Sequence, residues 1–475
     1  MTPAIETDYL VIGAGAVGLA FADELAARSD AHITLVDRRD APGGHWNDVY
    51  PFVRLHQPAS FYGVNSMELA RGGIDTDGPN RGFLTLSEGP EIVHYFHRVL
   101  AERLLPTGRV RFVPMSDVET EAEAVTIRHR LSGRRTPVEV RRKVVDASWH
   151  TNAVPRTHTP AFSIAPGVAC APPNDLPRRA AQFDHVAVLG AGKTAIDAVV
   201  WLLAHGAAPE SITWVMPRDA WFFNRAKVQP AMPFFEELVT SLAEQREAMA
   251  VATSARDLAH RLEACGAWLR LDRSIEPTVM HYATVSEGEL ELLRRVARVL
   301  RRARVRALEP GRLVFDSGVE RVPEATLFVD CTASALAPRP VRPIFDGARI
   351  TLQMIRIPQP TFSGAFIAVL ETLFEHDDDR NRYAQPIPLP DTVDDYPVSQ
   401  LIDQTNRFHA SRHPTLREWA TRSRLDGFAS LLASVDPGDA AKMALLERMR
   451  AATKAAMANL PRLAAMRSPA GRPAA

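Results

Sequence analysis

Two stretches of the chain follow one hydrophobic plan. Residues 8–37 and 185–218 each open on a short apolar run, pass through glycines, continue with apolar positions at helical spacing and close on a second apolar run. The first sets Tyr9-Leu-Val-Ile12 before a helix predicted from Ala16 and ends on Ile33-Thr-Leu-Val36. The second sets Val186-Ala-Val-Leu189 before a helix predicted from Lys193 and ends on Ile212-Thr-Trp-Val215. Strand, glycine turn, helix and strand, repeated, predict an α/β fold with two Rossmann-like dinucleotide-binding domains.

The remaining pattern divides the chain around these units. Residues 1–150 form the first part of the first domain, in which 109–145 alternate β-branched residues around Ser132-Gly133 and predict a small antiparallel layer. Residues 151–235 are the second domain with its linker, and 236–304, where charges interleave with Leu, Ala and Val, are expected to be its helical insert. Short strands return over 305–329, ending in Leu327-Phe-Val-Asp330, so 305–390 are assigned as a return to the first domain. Residues 391–475 are predicted to be helical, fading from Ser468 into a disordered tail.

The glycines specify what such turns can hold. In Gly13-Ala-Gly15-Ala-Val-Gly18 the first glycine permits a tight turn, the second admits a pyrophosphate to the backbone, and the third lets helix and strand approach closely. The unpaired N–H groups at the helix N-terminus then face the phosphates. Asp37, nineteen residues after Gly18, sits where a carboxylate accepts both ribose hydroxyls and repels a 2′-phosphate. In the second turn, Gly190-Ala-Gly192-Lys193-Thr194-Ala195, alanine takes the third place, and Met216-Pro-Arg218 follows the second strand. An arginine there suits a 2′-phosphate, so NADPH is the expected ligand, with Lys193 and Lys227 as possible assistants. A Walker A loop is excluded because it requires glycine where Ala187 stands.

Beyond Asp37 comes Arg-Arg-Asp-Ala-Pro-Gly43-Gly44-His45-Trp46. An acid, five residues and Gly-Gly-x-Trp, at this interval from GxGxxG, resemble the class B flavoprotein monooxygenases: the flavin-containing monooxygenases, N-hydroxylases and Baeyer–Villiger enzymes. The resemblance extends through Ala195, Asp197, Arg218 and Trp221. It implies FAD at Gly13, Gly15, Gly18, Asp37, Gly44 and Trp46, and NADPH at Gly190, Gly192, Lys193, Thr194, Ala195 and Arg218, with Asp330 a further candidate cofactor contact. The implied activity is NADPH-dependent insertion of one oxygen atom from O2 into a small organic substrate, with nucleophilic nitrogen, sulfur or a ketone as acceptor.

Candidates for orienting the chemistry lie between Arg54 and Ser66, where His56, Gln57 and Asn65 mix polar groups with aromatics. Asn65-Ser66 loosely resembles an asparagine segment of the flavin-containing monooxygenases. Gln359-Pro-Thr-Phe-Ser363-Gly364, ahead of an apolar helix, either caps it or brings N–H groups to a flavin ring. The string Phe-x-Gly-x-x-x-His, usual in these families, is absent. Two alternatives therefore stay open: an NADPH-dependent flavin reductase or oxidase that releases peroxide, and a non-catalytic dinucleotide-binding redox sensor.

Composition narrows the partners. Lysine plus arginine equal aspartate plus glutamate at 56 each among 475 residues, which gives no electrostatic case for nucleic acid or anionic membrane. The apolar runs are too short or too interrupted to span a bilayer. Glu6 and Asp8 precede the first strand without a basic and apolar leader, and the three cysteines are far apart, so a cytoplasmic address without a disulfide framework is expected. His94 and His97 share a helical face but lack further ligands, and no metal site is expected. Expected partners are a small-molecule substrate and O2, with a homodimer left open.

Overall fold

A computed structural model describes residues 3–467 except 71, 122–123, 150–151 and 335–338. The Ser148–Asn152 junction is thus only partly described, and the tail from 468 lies outside the described residues.

The first unit is built on an eight-stranded sheet. Strand β1 (Ile5–Ile12) lies at its centre, parallel to β2 (Ile33–Val36), which in turn pairs in parallel with β3 (Val110–Val113). On the other side β1 runs parallel to β6 (Arg135–Asp146), and β4 (Ser116–Glu121) and β5 (Ala124–His129) form a hairpin on β6. The antiparallel layer expected over 109–145 is therefore confined to β4, β5 and β6, while β3 extends the parallel sheet. Helix α1 (Ala16–Arg28) crosses from β1 to β2, with apolar side chains Leu19, Phe21 and Leu25 buried beneath it.

The second unit repeats the plan. A five-stranded sheet runs β7 (Cys170–Ala171), β14 (Thr326–Asp330), β8 (His185–Leu189), β9 (Ile212–Val215), β13 (Arg298–Leu300), all parallel. Its central strands are buried on both faces, which is why they read as unbroken apolar runs. Helix α2 (Lys193–Ala204) links β8 to β9.

Two domain assignments change. Residues 305–330 belong to the second unit: β14 pairs with β8, setting Asp330 opposite Leu189, and the strands Val305–Glu309, Arg312–Phe315 and Gly318–Arg321 form a separate layer packed on that sheet. An apolar run such as Leu327-Phe-Val fits either sheet by pattern; only pairing decides. The chain re-enters the first sheet later, at β15 (Phe345–Asp346) and β16 (Arg349–Thr351), the latter parallel to β6. The segment 236–304, expected to be helical, also carries strands. Its β12 (Val279–Val285) pairs with β10 (Ala220–Asn224), to which β11 (Trp268–Leu269) adds an antiparallel edge, and β13 completes the second sheet.

Helices then cover the assembly. The first, α3 (Phe235–Val251), packs on the 26-residue α6 (Ala440–Ala465). Between them in sequence, α4 (Pro360–Leu373) lies against α1, and α5 (Tyr396–Arg412) touches α6. The helical character expected after 391 is present through Ala465.

Candidate active site at the two glycine turns

The first turn has the geometry that its glycines anticipate. Gly13 has φ +106 and donates its N–H to Val36 O at 2.8 Å, which pins the turn to the end of β2. A methyl group on Gly18 would lie 2.1 Å from Gly13 O and 3.0 Å from Ala147 Cβ, so only hydrogen fits where α1 meets the β1 end. Asp37, buried at 5% exposure, receives the N–H of Ala14 on one carboxylate oxygen at 2.7 Å and that of Arg39 on the other at 2.8 Å. Each oxygen retains lone pairs for a further donor.

The Gly-Gly loop closes over this turn. Gly43 N donates to Ala14 O at 2.8 Å, and a Cβ on Gly44 would stand 2.9 Å from Gly15 Cα, a backbone contact that no other residue type permits. Trp46 turns inward and its indole N–H donates to the Tyr62 hydroxyl at 2.8 Å. The His45 imidazole lies 3.2 Å from the Asn152 amide nitrogen; burial, with Arg39 nearby, lowers its pKa to about 4 and keeps it neutral.

At the second turn Gly190 N donates to Val215 O at 2.9 Å, and a Cβ there would meet Cys331 O at 2.5 Å. A Cβ on Gly192 would meet nothing within 4 Å, so the face of this turn is open. Thr194 and Ala195 follow in the first turn of α2, with Ala195 fully buried. Lys193 does not project freely: its ammonium pairs with Asp197 one turn on. The other Asp197 oxygen accepts the Tyr50 hydroxyl at 2.7 Å, a bond that joins the loop after Trp46 to the helix of the second unit. Burial raises the Asp197 pKa despite Lys193, and burial beside that carboxylate raises the Tyr50 pKa further.

Between the two units lies a second buried ion pair. Arg225, at 1% exposure, donates to His56 O at 2.7 Å, to Thr284 O at 3.0 Å and to Glu289 at 3.2 Å. Burial opposes ionisation of Glu289, but Arg225 and Lys193 outweigh it and hold its pKa low. The His56 ring sits among these charges; burial, with Lys193 and Arg225 nearby, pushes its pKa down to about 3. His56 is therefore a neutral imidazole at physiological pH, set between the two units.

The other sequence candidates are placed differently. Gln57 keeps a buried amide nitrogen without a partner among the described residues. Asn65 instead donates to Glu24 on α1 at 2.8 Å and accepts from Ser423 at 2.9 Å, so its amide stitches α1 to the C-terminal helices. Arg218 is held by Asp391, Lys227 pairs with Glu237, and Trp221 is wholly buried beside Trp268. Asp330, at the end of β14, accepts the N–H and hydroxyl of Thr332 and so flanks the second turn, not the first. Tyr50, Arg225 and Asp391 carried no local motif, and Glu289 carried only the capping box Ser286-x-x-Glu289; the ion-pair and hydroxyl partners that place them here are far away in sequence.

At the start of α4, Gly364 packs against Val17 O, where an added Cβ would lie at 2.6 Å; this brings the N-terminal turn of α4 beside that of α1. The helix has no side-chain cap; Ser363 instead accepts the N–H groups of Ile355 and Arg356 and ties the preceding loop to the helix. Gln359 Oε1 and Thr361 Oγ1 nonetheless stay buried without partners among the described residues. Buried polar groups are nearly always hydrogen-bonded, so these atoms mark bonding capacity that the protein itself does not use. With the glycine cradle and the fixed Asp37 carboxylate, they fit FAD. Among the described residues no group of three or more acidic, histidine or cysteine side chains is arranged for a metal, and no helix is long and apolar enough to cross a membrane.

Comparison with known proteins places the chain. Residues 11–99 match the NAD(P)-binding Rossmann-like domain model. The uncharacterized protein Rv2000 of Mycobacterium tuberculosis is 43% identical over 428 residues, covering 90% of this chain and 79% of that protein, as is the uncharacterized protein Mb2023 of Mycobacterium bovis. The chain belongs to the family of these mycobacterial proteins. Solved structures with a related arrangement include cyclohexanone monooxygenase in its open form, 14% identical with a TM-score of 0.48 over 95% of this chain and 99% of that one. A steroid monooxygenase bound to NADP is 14% identical with a TM-score of 0.48 over 78% and 85%. For a flavin-containing monooxygenase of Stenotrophomonas maltophilia the values are 15% and 0.45, over 86% and 100%.

Proposed function

We propose that the chain is a flavoenzyme that holds FAD at Gly13, Gly15, Gly18, Asp37, Gly44 and Trp46, holds NADPH at the turn Gly190–Ala195, and oxygenates a small organic molecule. One observation carries the reading: two glycine turns, each at the carboxyl end of parallel strands in its own sheet and at the N-terminus of its own helix, lie in units tied together by the bond from Tyr50, after the Gly-Gly-x-Trp loop, to Asp197 on the second helix. Asp37 suits the unphosphorylated ribose of FAD, since its carboxylate accepts hydroxyls and repels phosphate. FAD supplies, when bound, a ring that takes hydride from a nicotinamide and delivers electrons to O2.

The chain's own residues then bind, orient and exclude water. The first turns of α1 and α2 offer N–H groups to the two pyrophosphates. Gln57, with its spare amide N–H, and His56, a neutral ring that bonds the Tyr282 backbone with one nitrogen and can accept on the other, orient the substrate. Asn65 supports α1 and takes no part in the chemistry. Nucleophilic nitrogen or sulfur, or a ketone, is the acceptor class.

The test is spectroscopic. The purified chain should carry a flavin absorption spectrum that NADPH bleaches under anaerobic conditions. On admitting air, peroxide release should be substoichiometric once an oxygenated amine, sulfide or ketone is found. Stoichiometric peroxide with every acceptor assigns an oxidase, and a colourless protein that binds no FAD removes the reading altogether.

A further inference from the structure

The second unit ends its β9 strand at Val215, and Arg218 stands three residues on, at the position that meets the adenosine ribose in a Rossmann unit. Its guanidinium is not free. Nη1 donates to Asp391 Oδ2 at 3.2 Å and Nη2 to Oδ1 at 3.3 Å, a two-pronged pairing with a carboxylate from a distant part of the chain. His281 Nε2 lies 2.9 Å from the same Oδ1. The backbone around this carboxylate is anchored on both sides: Met280 N donates to Asp391 O at 3.1 Å, and Asp391 N to Asp395 at 3.1 Å. Asp391 cannot easily swing away.

Other cations that a phosphate would seek are likewise occupied. Lys193 is paired with Asp197, Lys227 with Glu237, and Arg301 with Asp219 and Asp272. A dianionic 2′-phosphate approaching Arg218 therefore meets a carboxylate already seated on it, and like charges disfavour one another. A plain 2′-hydroxyl meets the same carboxylate as a hydrogen-bond acceptor.

We propose that Asp391 is the specificity-determining residue of the second turn, restraining the preference for a 2′-phosphorylated coenzyme that Arg218 would otherwise impose. The inference rests on the nucleotide role given above to that turn. Arg218 supplies attraction, Asp391 sets how much of it a phosphate receives, and His281 shares the carboxylate. At 36% side-chain exposure the carboxylate is wet enough for ligand to reach it and dry enough for its charge to be felt.

The test is equilibrium binding to the FAD-loaded full chain, with adenosine 2′,5′-bisphosphate and AMP as probes, read by calorimetry. Asp391→Asn should tighten the bisphosphate by about tenfold and leave AMP within about threefold. Asp391→Ser, which removes the charge without supplying an amide, must move the ratio of the two affinities in the same direction. Arg218→Ala should weaken the bisphosphate selectively. If the parent binds both probes and neither Asp391 variant moves the ratio, the proposal falls while the nucleotide site stands. If the parent binds neither, the role of the second turn falls first and the proposal with it.

Discussion

Replacing Gly18 by alanine puts the first turn under a defined strain. The new methyl would lie 2.1 Å from Gly13 O and 3.0 Å from Ala147 Cβ. The first distance is far inside contact, and its partner is backbone, so α1 or the turn must shift. Overpacking of this kind costs about 1–3 kcal/mol, against about 1 kcal/mol regained because alanine is the better helix former. The net cost to folding is accordingly about 0–2 kcal/mol, while the shift falls on the N–H groups that face the ligand. If the 1–3 kcal/mol appears in binding, FAD affinity drops by about five- to 150-fold, since each 1.4 kcal/mol is a factor of ten. Titration of apoprotein with FAD, followed by quenching of flavin fluorescence, measures this directly. The chain provides its own control, because the equivalent place in the second turn already holds Ala195, fully buried. Ala195→Gly should cost about 1 kcal/mol in folding and leave FAD affinity untouched. A Gly18→Ala protein that is folded and binds FAD within about twofold of the parent refutes the assignment of this turn.

Three further outcomes are expected. Arg225→Met strands the Glu289 carboxylate in the interior and should cost about 3–5 kcal/mol in urea denaturation, whereas a loss under about 1 kcal/mol would mean that water reaches the pair. His56 is neutral in the fold down to about pH 3 but takes up a proton near pH 6.5 when unfolded, so the unfolded state binds more protons between these limits and stability is lost as the pH is lowered through them. His56→Gln should remove up to about 1.4 kcal/mol per pH unit of that slope below pH 6.5, and an unchanged slope would show the ring to be protonated in the fold. Asn65→Ala should lower stability by about 1–3 kcal/mol, because Glu24 Oε2 and the Ser423 hydroxyl lose their partner while Trp419 keeps only the other Glu24 oxygen, yet leave the rate of anaerobic flavin reduction unaltered; a large fall in that rate would return Asn65 to the active site.

What the sequence disclosed was local. Each glycine turn, its flanking strands and its helix lie within about thirty residues, and the contact of Gly18 with Gly13 O is itself local, whereas the neighbours that a side chain at Gly13 or Gly190 would meet, Ala147 and Cys331, come from the ends of distant strands. Contacts between distant segments left no such trace. Asp391 reaches Arg218 across 173 positions and Tyr50 reaches Asp197 across 147. Asn65 illustrates the same limit from the other side: a polar residue in an aromatic loop suggests chemistry until Glu24 and Ser423 are seen to claim both ends of its amide. Pattern alone was also blind to which sheet would receive Thr326–Asp330, because burial on both faces erases the alternation that would report its register.

The bond between the Tyr50 hydroxyl and Asp197 has a mechanical meaning as well. Were one unit to rotate against the other, this contact would be the pivot or it would break. Breaking it would cost the buried Tyr50 phenol this acceptor and one oxygen of Asp197 this donor, at about 1–3 kcal/mol for each, while Lys193 keeps the other oxygen. The bond does not act alone: Arg225 donates to His56 O at 2.7 Å and Asn174 to Asp48 O and Val49 O, so the units are tied at several separate points and rotation about any one of them would strain the others. Ligands seated on those turns would then be held at a spacing set by this set of bonds and not by a single hinge.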